Sequence, residues 1–243
     1  MESKIKIKDI TICLHCGCDR GVVFSQMEEL APLEEKYNIT WNNRIDRYPL
    51  AYPSYSELIN DSINTSNTEF IILINDRCTP LAEHAEKIIG HLESGYACSL
   101  MYNVAFMGLS KQLIREIGWW DERYLNGGWE DRDWVFRLKA ADLALYESQE
   151  GLYDYSWKSP LQVEDRCALS GPFFEKKWTI DNQSVTRNLE EEDYSEKYKN
   201  LGENNIELRK TWNKWKDSVL GIDYDKPNSG PPGSAWIQNK IVK

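Results

Sequence analysis

The run "EFIILINDRCTP", Glu69 to Pro80, carries five apolar residues from Phe70 to Ile74 with no polar break and stops at Asn75 and Asp76. Strict alternation would mark a strand with one wet face. An unbroken run marks a strand covered on both sides, as in parallel sheets flanked by crossover helices. The residues before it agree. "SYSELINDSINTSNT", Ser54 to Thr68, is a polar helix with Leu58, Ile59 and Ile63 on one face, and "NITWNNRI", Asn38 to Ile45, is a strand. "RGVVFSQMEELAPLEEKY", Arg20 to Tyr37, has helical spacing at Val23, Met27, Leu30 and Leu33 despite Pro32, and "DITICLHC", Asp9 to Cys16, opens the series as a strand. Strand, helix, strand, helix, strand predicts a Rossmann-like parallel sheet. The G-x-G-x-x-G fingerprint of dinucleotide binding is missing.

After Pro80 the pattern continues with a helix over "LAEHAEKIIGHLES", one or two strands in "YACSLMYNVAFMGLS", and a short helix in "KQLIREIG" closed by Gly118. "NGGWEDRDWVFRLK", Asn126 to Lys139, is a glycine- and tryptophan-bearing loop leading into a helix, and "LALYES" is a strand. Residues Asn182 to Gly221 are polar and charge-rich and predict a helical extension anchored by Trp212 and Trp215, with a loose tail after it. The expected architecture is one α/β domain over 1–181, in two halves over 1–80 and 81–181, followed by a charged helical extension and tail over 182–243.

The 243 residues suffice for a core without disulfide staples. A net charge of −10, from 39 acids against 29 bases, repels a polyphosphate backbone, so no nucleic-acid partner is expected. The N-terminal lysines leave no room for a secretory segment and no run reaches membrane-spanning length, so the expected location is cytoplasmic. The "CLHCGC" cluster of Cys13, His15, Cys16 and Cys18 looks metal-like, but no second Cys/His pair follows at zinc-finger spacing, and small apolar cysteines packing a buried strand explain it. His84 and His91 read as surface residues.

In an open parallel sheet ligands gather beyond the carboxyl ends of the strands. Three such ends stand out: His15 to Arg20, Arg44 to Asp46, and Asn75 to Arg77. A second concentration of chemistry is the acidic first turn Glu130, Asp131 and Asp133 behind Gly127, Gly128 and Trp129. Helix capping alone accounts for acids there. General-base work is the other reading, since such a carboxylate must be held near its proton while partly desolvated. Asp133 lies four residues before Arg137, the spacing of a structural ion pair.

These stretches carry a resemblance. The run from Ser54 to Pro80 resembles the part of GT-A glycosyltransferases in which a polar helix leads into the strand ending in a D-x-D motif. "FMGLSKQLIREIGWWDERYLNGGWEDRDWVFRLKAADLALYE" is similar to their acceptor-side block, with its "iGgfDE.y" turn and "G-W-x-E-D" loop, and "FFEKKW" is similar to the aromatic-Lys-Trp ending of many bacterial and viral members. The resemblance covers most of Ile10 to Trp178 and implies a GT-A-like mixed, mostly parallel sheet flanked by helices. It implies transfer of a sugar from a nucleotide diphosphate donor to a carbohydrate hydroxyl, with inversion, Asp131 as general base and Glu130 hydrogen-bonding the acceptor.

By the same resemblance His15, Gly17 and Asp19 lie where relatives touch the nucleobase, Asp46 where an acid accepts the N3–H of uracil, and Asn60 on the diphosphate side. UDP is therefore the expected nucleotide, with dTDP and GDP open. Trp119, Trp120, Trp129 and Trp134 cluster around the acceptor loop, and flat rings stack on sugars. Trp129 is expected to be the exposed platform, with Gly128 and Trp120 beside it.

The D-x-D site departs from the family. Asn75-Asp76-Arg77 keeps one acid, and no late histidine completes a metal shell, although Asp154 stands as a possible substitute. Two alternatives follow: Asp76, with Asp154, phosphates and waters, holds Mn²⁺ or Mg²⁺, or Arg77 meets the diphosphate directly. Two other classes compete with the transferase: a sugar-1-phosphate nucleotidyltransferase, for which "CGCDRGV" is a poor phosphate loop, and a non-catalytic sugar-binding module with an eroded metal site.

Overall fold

The computed structural model describes residues 6–16, 20–45, 55–102, 104–124, 128–148, 152–153, 163–180, 185–190 and 192–201. In chain order these form β1 (Asp9–Cys16), α1 (Arg20–Leu30), a 3-10 turn (Ala31–Glu35), β2 (Asn38–Trp41), β3 (Arg44–Ile45), α2 (Tyr55–Thr65), β4 (Phe70–Asn75) and β5 (Cys78–Thr79). Then come α3 (Ala82–Glu93), β6 (Cys98–Tyr102), β7 (Phe106–Ser110), α4 (Lys111–Ile117), α5 (Glu130–Ala140), β8 (Leu145–Glu147) and β9 (Leu152–Tyr153). The last elements are α6 (Val163–Lys177), β10 (Trp178–Ile180), β11 (Val185–Arg187) and α7 (Ser195–Leu201).

Two compact units share these elements. The first comprises Met1–Asp46, Thr65–Gly118 and Arg137–Lys158; the second comprises Arg47–Asn64, Trp119–Phe136 and Ser159–Lys243.

The first unit holds a seven-stranded mixed sheet in the order β2-β1-β4-β7-β6-β8, with β3 also beside β1. β1 runs parallel to β2, β3 and β4, and β6 runs parallel to β8, whereas β7 is antiparallel to both β4 and β6. The sheet is thus mostly parallel, and the predicted crossover order of its first strands is present. Alternation along β1 sends Ile10, Ile12 and Leu14 into one cluster with Ile72 and Ile74 of β4, Val23 and Leu30 of α1, and Ala85, Ile88, Ile89 and Leu92 of α3. Thr11, Cys13 and His15 alternate to the other side and are buried as well. The Thr11 and Thr68 hydroxyls are 2.8 Å apart, and Cys13 Sγ lies 3.7 Å from Ser66 Oγ.

Gly108 of β7 has no side chain for a packing reason. A Cβ there would come 2.2 Å from Ile88 Cγ2, so the glycine lets α3 lie directly on the strand. Pro32 ends α1 at Leu30 and the chain continues as the 3-10 turn, burying Leu33. "YACSLMYNVAFMGLS" resolves into two strands, β6 and β7. The histidines of α3 are structural, not surface residues. His84 is buried and its Nδ1 accepts the Leu81 N–H at 3.4 Å, while His91 stacks on Tyr146 at 3.6 Å and lies 2.9 Å from Ser99 Oγ.

In the second unit, α2 is buried from Ser56 to Ile63 around its whole circumference, a polar helix with no wet face in that span. Trp120 and Trp134 stack at 4.6 Å with no exposed surface, and Tyr124, Phe174 and Trp178 form a neighbouring cluster. Residues of the charged C-terminal region contribute directly here, since Tyr194, Lys197 and Tyr198 are buried. Trp212, Trp215 and the tail lie outside the described residues. No described helix is long and apolar enough to cross a membrane.

Candidate functional site

The strand ends of the first unit form the first candidate set. Parallel pairing brings His15 of β1 beside Asn75 of β4 and, on the other side, Arg44 of β3. His15 is buried, and Asp76 and Arg77 are half-buried in the turn that follows β4. That turn is fastened from within. Asn75 Oδ1 accepts the Arg77 backbone N–H at 2.9 Å, and the Asn75 N–H donates to Ala105 O at 2.9 Å. Gln26, buried on α1, donates through Nε2 to the Asn75 and Cys78 carbonyls at 2.9 and 2.8 Å. Burial pushes the Cys78 thiol up to about 12, so it stays protonated and donates to Ala105 O.

The side-chain oxygen of Asn75 and both turn carbonyls accept hydrogen bonds, and Asp76 is the one carboxylate of the turn. Among the described residues no group of three or more His, Cys, Asp and Glu side chains could hold a metal ion. The described residues therefore do not fit the Mn²⁺ or Mg²⁺ that the resemblance implies. Gly17, Asp19, Asp46 and Asp154 lie outside the described residues, although Tyr153, the neighbour of Asp154 in the chain, pairs with Cys78 across β5 and β9.

The second set lies at the start of α5 in the second unit. Gly128 and Trp129 both have left-handed backbones, with φ of 93° and 71°, and the Trp129 carbonyl accepts the Asp133 N–H at 2.9 Å to open the helix. For glycine such a φ is free; for tryptophan it is strained, so the surroundings must hold it. They do. The indole packs on Phe174 at 4.9 Å, the Arg132 guanidinium covers the ring at 4.6 Å, and Gly171 leaves space that a Cβ would fill to within 3.3 Å of Trp129 Nε1. Trp129 is thus half-buried and covered rather than an exposed platform.

The three acids of this turn have different fates. Asp133 is buried, and its Oδ1 lies 2.7 Å from Lys177 Nζ and accepts from Trp178 Nε1 at 2.8 Å and Tyr124 OH at 3.1 Å. Its described ion pair is with Lys177 rather than with Arg137, the partner expected from the spacing; Arg137 Nη1 donates to Ile117 O at 3.0 Å. Glu130 is 8 % exposed. Asp131 is half-buried, and among the described residues its one partner is the Arg132 N–H at 2.8 Å, accepted by Oδ1. It is the acid of the turn that is half-buried, where Glu130 and Asp133 are buried.

Two sequence-predicted residues are displaced from the site. Trp120 has no exposed surface and is sealed against Trp134, so it cannot stack on an acceptor. Asn60 is equally buried; its amide donates to Trp120 O and Glu122 Oε1 at 2.8 and 3.0 Å and accepts the Trp120 N–H at 2.9 Å. It staples the Trp120 turn, and these contacts engage both ends of its amide.

Beneath this turn lies a buried charge network that sequence reasoning missed. Lys177 bridges Asp121 at 2.8 Å and Asp133, and Lys197 bridges Glu57 and Glu122 at 2.6 Å each. Tyr198 OH also bonds Glu122, and Arg123 grips Asp121 through Nε and Nη2 at 2.8 and 2.7 Å. Burial alone would raise the pKa of Asp121, but the hydrogen bonds and charges of Arg123 and Lys177 outweigh it and hold the carboxyl well below its usual range. The available signal was the acid pair of "WWDERY" and the lysine pair of "FFEKKW", yet only the fold shows that Lys177 turns inward while Lys176 stays exposed.

No family model matches the chain, and no curated protein does. Among solved structures, it is similar to a mutant of Drosophila β1,4-galactosyltransferase 7 in complex with manganese, UDP-Gal and xylobiose, at 13% identity and a TM-score of 0.44 over 73% of this chain and 78% of that one. It is also similar to the catalytic domain of Drosophila β1,4-galactosyltransferase 7 in complex with xylobiose, at 12% identity and a TM-score of 0.47 over 73% and 82%.

Proposed function

We propose that the chain is a glycosyltransferase moving a sugar from a nucleotide diphosphate donor, UDP by preference, to a hydroxyl of a carbohydrate acceptor, with inversion. The observation that carries this reading is the state of Asp131. It stands in the first turn of α5 behind two left-handed residues, half-buried, with one backbone N–H as its partner among the described residues. Asp133, two residues on, is buried instead, with its Oδ1 on Lys177, Trp178 and Tyr124.

In the proposed reaction Asp131 takes the proton of the acceptor hydroxyl. The freed oxygen attacks the anomeric carbon, the bond from that carbon to the diphosphate oxygen breaks, and the diphosphate leaves with the electron pair. Glu130 hydrogen-bonds the acceptor, and Gly128 gives the loop its left-handed turn. The donor side is assigned to the strand ends of the first unit, with His15, Asn75, Asp76 and Arg77 there and Gly17, Asp19 and Asp46 in the segments that follow β1 and β3. Asp46 as acceptor of a uracil N3–H is the reason for preferring UDP.

The test is product formation from a panel of nucleotide sugars on simple glycosides. Transfer from one nucleotide class supports the proposal. Pyrophosphate release from a sugar 1-phosphate and a nucleoside triphosphate would instead identify a nucleotidyltransferase, and binding without turnover a sugar-binding module.

A further inference from the structure

We infer that Lys177, the last residue of α6, is a positioning residue for the proposed general base: its ammonium ties the first turn of α5 to the turn at Asp121 and so fixes where Asp131 stands. The inference rests on the reading of Asp131 as the base. Among the described residues the Asp131 side chain bonds the backbone N–H of Arg132, inside its own turn, and no other group. Its place in space is therefore inherited from that turn, and the turn is held from outside through Asp133. Asp133 Oδ1 lies 2.7 Å from Lys177 Nζ and also accepts from Trp178 Nε1 and Tyr124 OH. The same ammonium lies 2.8 Å from Asp121 Oδ2, on the far side of residues 122–132. One cation thus joins both ends of the stretch that carries Gly128, Trp129, Glu130 and Asp131.

The anchor is itself braced. Lys177 O accepts the Asn188 N–H at 2.7 Å, and its Nζ stands 5.7 and 5.9 Å from the ring centroids of Tyr124 and Trp178. At the other end Arg123 grips Asp121 through Nε and Nη2. Packing alone does not call for a charge here, since a buried ion pair stabilises little more than well-packed apolar side chains of the same volume. What the charge adds is direction. An ammonium shared by two carboxylates sets the distance and angle between the elements that bear them, whereas methylenes would let the first turn of α5 slide. A base must sit within hydrogen-bond reach of the proton it takes, and a misplacement of about 1 Å costs about 10²-fold in rate.

The experiment compares the full chain as wild type, Lys177→Met, Lys177→Arg, Asp121→Asn and Lys197→Met, each well below its melting temperature. The readouts are kcat for transfer from a UDP-sugar to a simple glycoside, UDP affinity by calorimetry, and hydrogen exchange of the Asp133 amide, which donates to Trp129 O. Lys197, which bridges Glu57 and Glu122 instead, is the control for the loss of a buried lysine bridge. Lys177→Met should lower kcat about 10²-fold and speed exchange of the Asp133 amide, with UDP affinity unchanged within about twofold. Lys177→Arg keeps the charge and should recover most of the rate. Asp121→Asn keeps the shape and loosens the far end of the bridge, so it should show a smaller fall in the same direction; it also serves where Lys177→Met does not fold. Lys197→Met should lower stability while leaving kcat within about threefold of the wild type. Wild-type kcat in Lys177→Met, or in Asp121→Asn where Lys177→Met does not fold, overturns the inference and spares Asp131 as the base. Equal losses of kcat in Lys177→Met and Lys197→Met overturn it too, since Lys177 would then be a general prop. A wild type that transfers no sugar removes the reading of Asp131, and the inference with it.

Discussion

Lys177 Nζ lies 2.7 Å from the Asp133 carboxylate, and both side chains are sealed from solvent. The same ammonium bonds Asp121 at 2.8 Å, so one cation holds the turn before residues 125–127 and the helix after them. Removing one member of a buried pair strands the others as uncompensated charges, at a cost of about 3–5 kcal/mol. Lys177→Met is therefore expected to lower the urea unfolding free energy by about that amount, and Lys177→Arg by much less. An unchanged midpoint in Lys177→Met would remove the network from the account of stability.

Asp121 gives the acid limb of the stability curve. Its folded pKa is held below the unfolded value, which is near 3.8, by Arg123 and Lys177 against the opposing effect of burial. The folded state thus binds this proton less readily, so the stabilisation is present above about pH 4 and is lost as pH falls toward the folded value. Tyr194 and Tyr198 act at the other end. Burial and the nearby carboxylates raise both above the usual 10.0, so stability should decline as pH rises past 10. Thermal melts across pH for the wild type and Asp121→Asn check this; the variant should show a flatter acid limb.

Gly108→Ala tests the packing of α3 on the sheet. The new Cβ meets Ile88 Cγ2 at 2.2 Å, a clash with a buried side chain on a packed helix. Overpacking of this kind costs about 1–3 kcal/mol. Gly90→Ala, where a Cβ meets nothing within 4 Å, is the matched control and should not destabilise. Equal melting temperatures for the two variants would contradict the described register of β7 against α3.

How much could be read beforehand depends on the range of the interaction. β1 and β4 were legible because an apolar run needs no partner to be recognised, and their parallel pairing, Ile10 with Phe70 through His15 with Asn75, follows from the intervening helices. α2 was legible as a helix but not as a buried one. Its Glu57 is matched by Lys197, 140 residues on, which no local pattern reveals. For the same reason Asn60 looked available, although Trp120 and Glu122 take its amide. Among the tryptophans composition offered no distinction between Trp120, stacked in the core, and Trp129, held half-buried by Phe174 and Arg132.

Arg132 controls access to the Trp129 ring if its guanidinium, 4.6 Å from the ring centre, is the cover described above. The guanidinium belongs to an exposed residue, and such a contact is worth about 0.5–1 kcal/mol. Arg132→Ala is expected to red-shift the tryptophan emission and raise its quenching by acrylamide, with little change in melting temperature. Identical quenching in the variant would show that the ring is shielded by other groups.

The central claim is that Asp131 removes the acceptor proton, and Asp131→Asn tests it most directly because the amide keeps the shape and discards the base. Transfer rate and UDP affinity should be measured on the same preparation. The account predicts a fall in kcat of about 10²–10⁴ with UDP binding unchanged within about twofold. A variant that transfers sugar at the wild-type rate would contradict it.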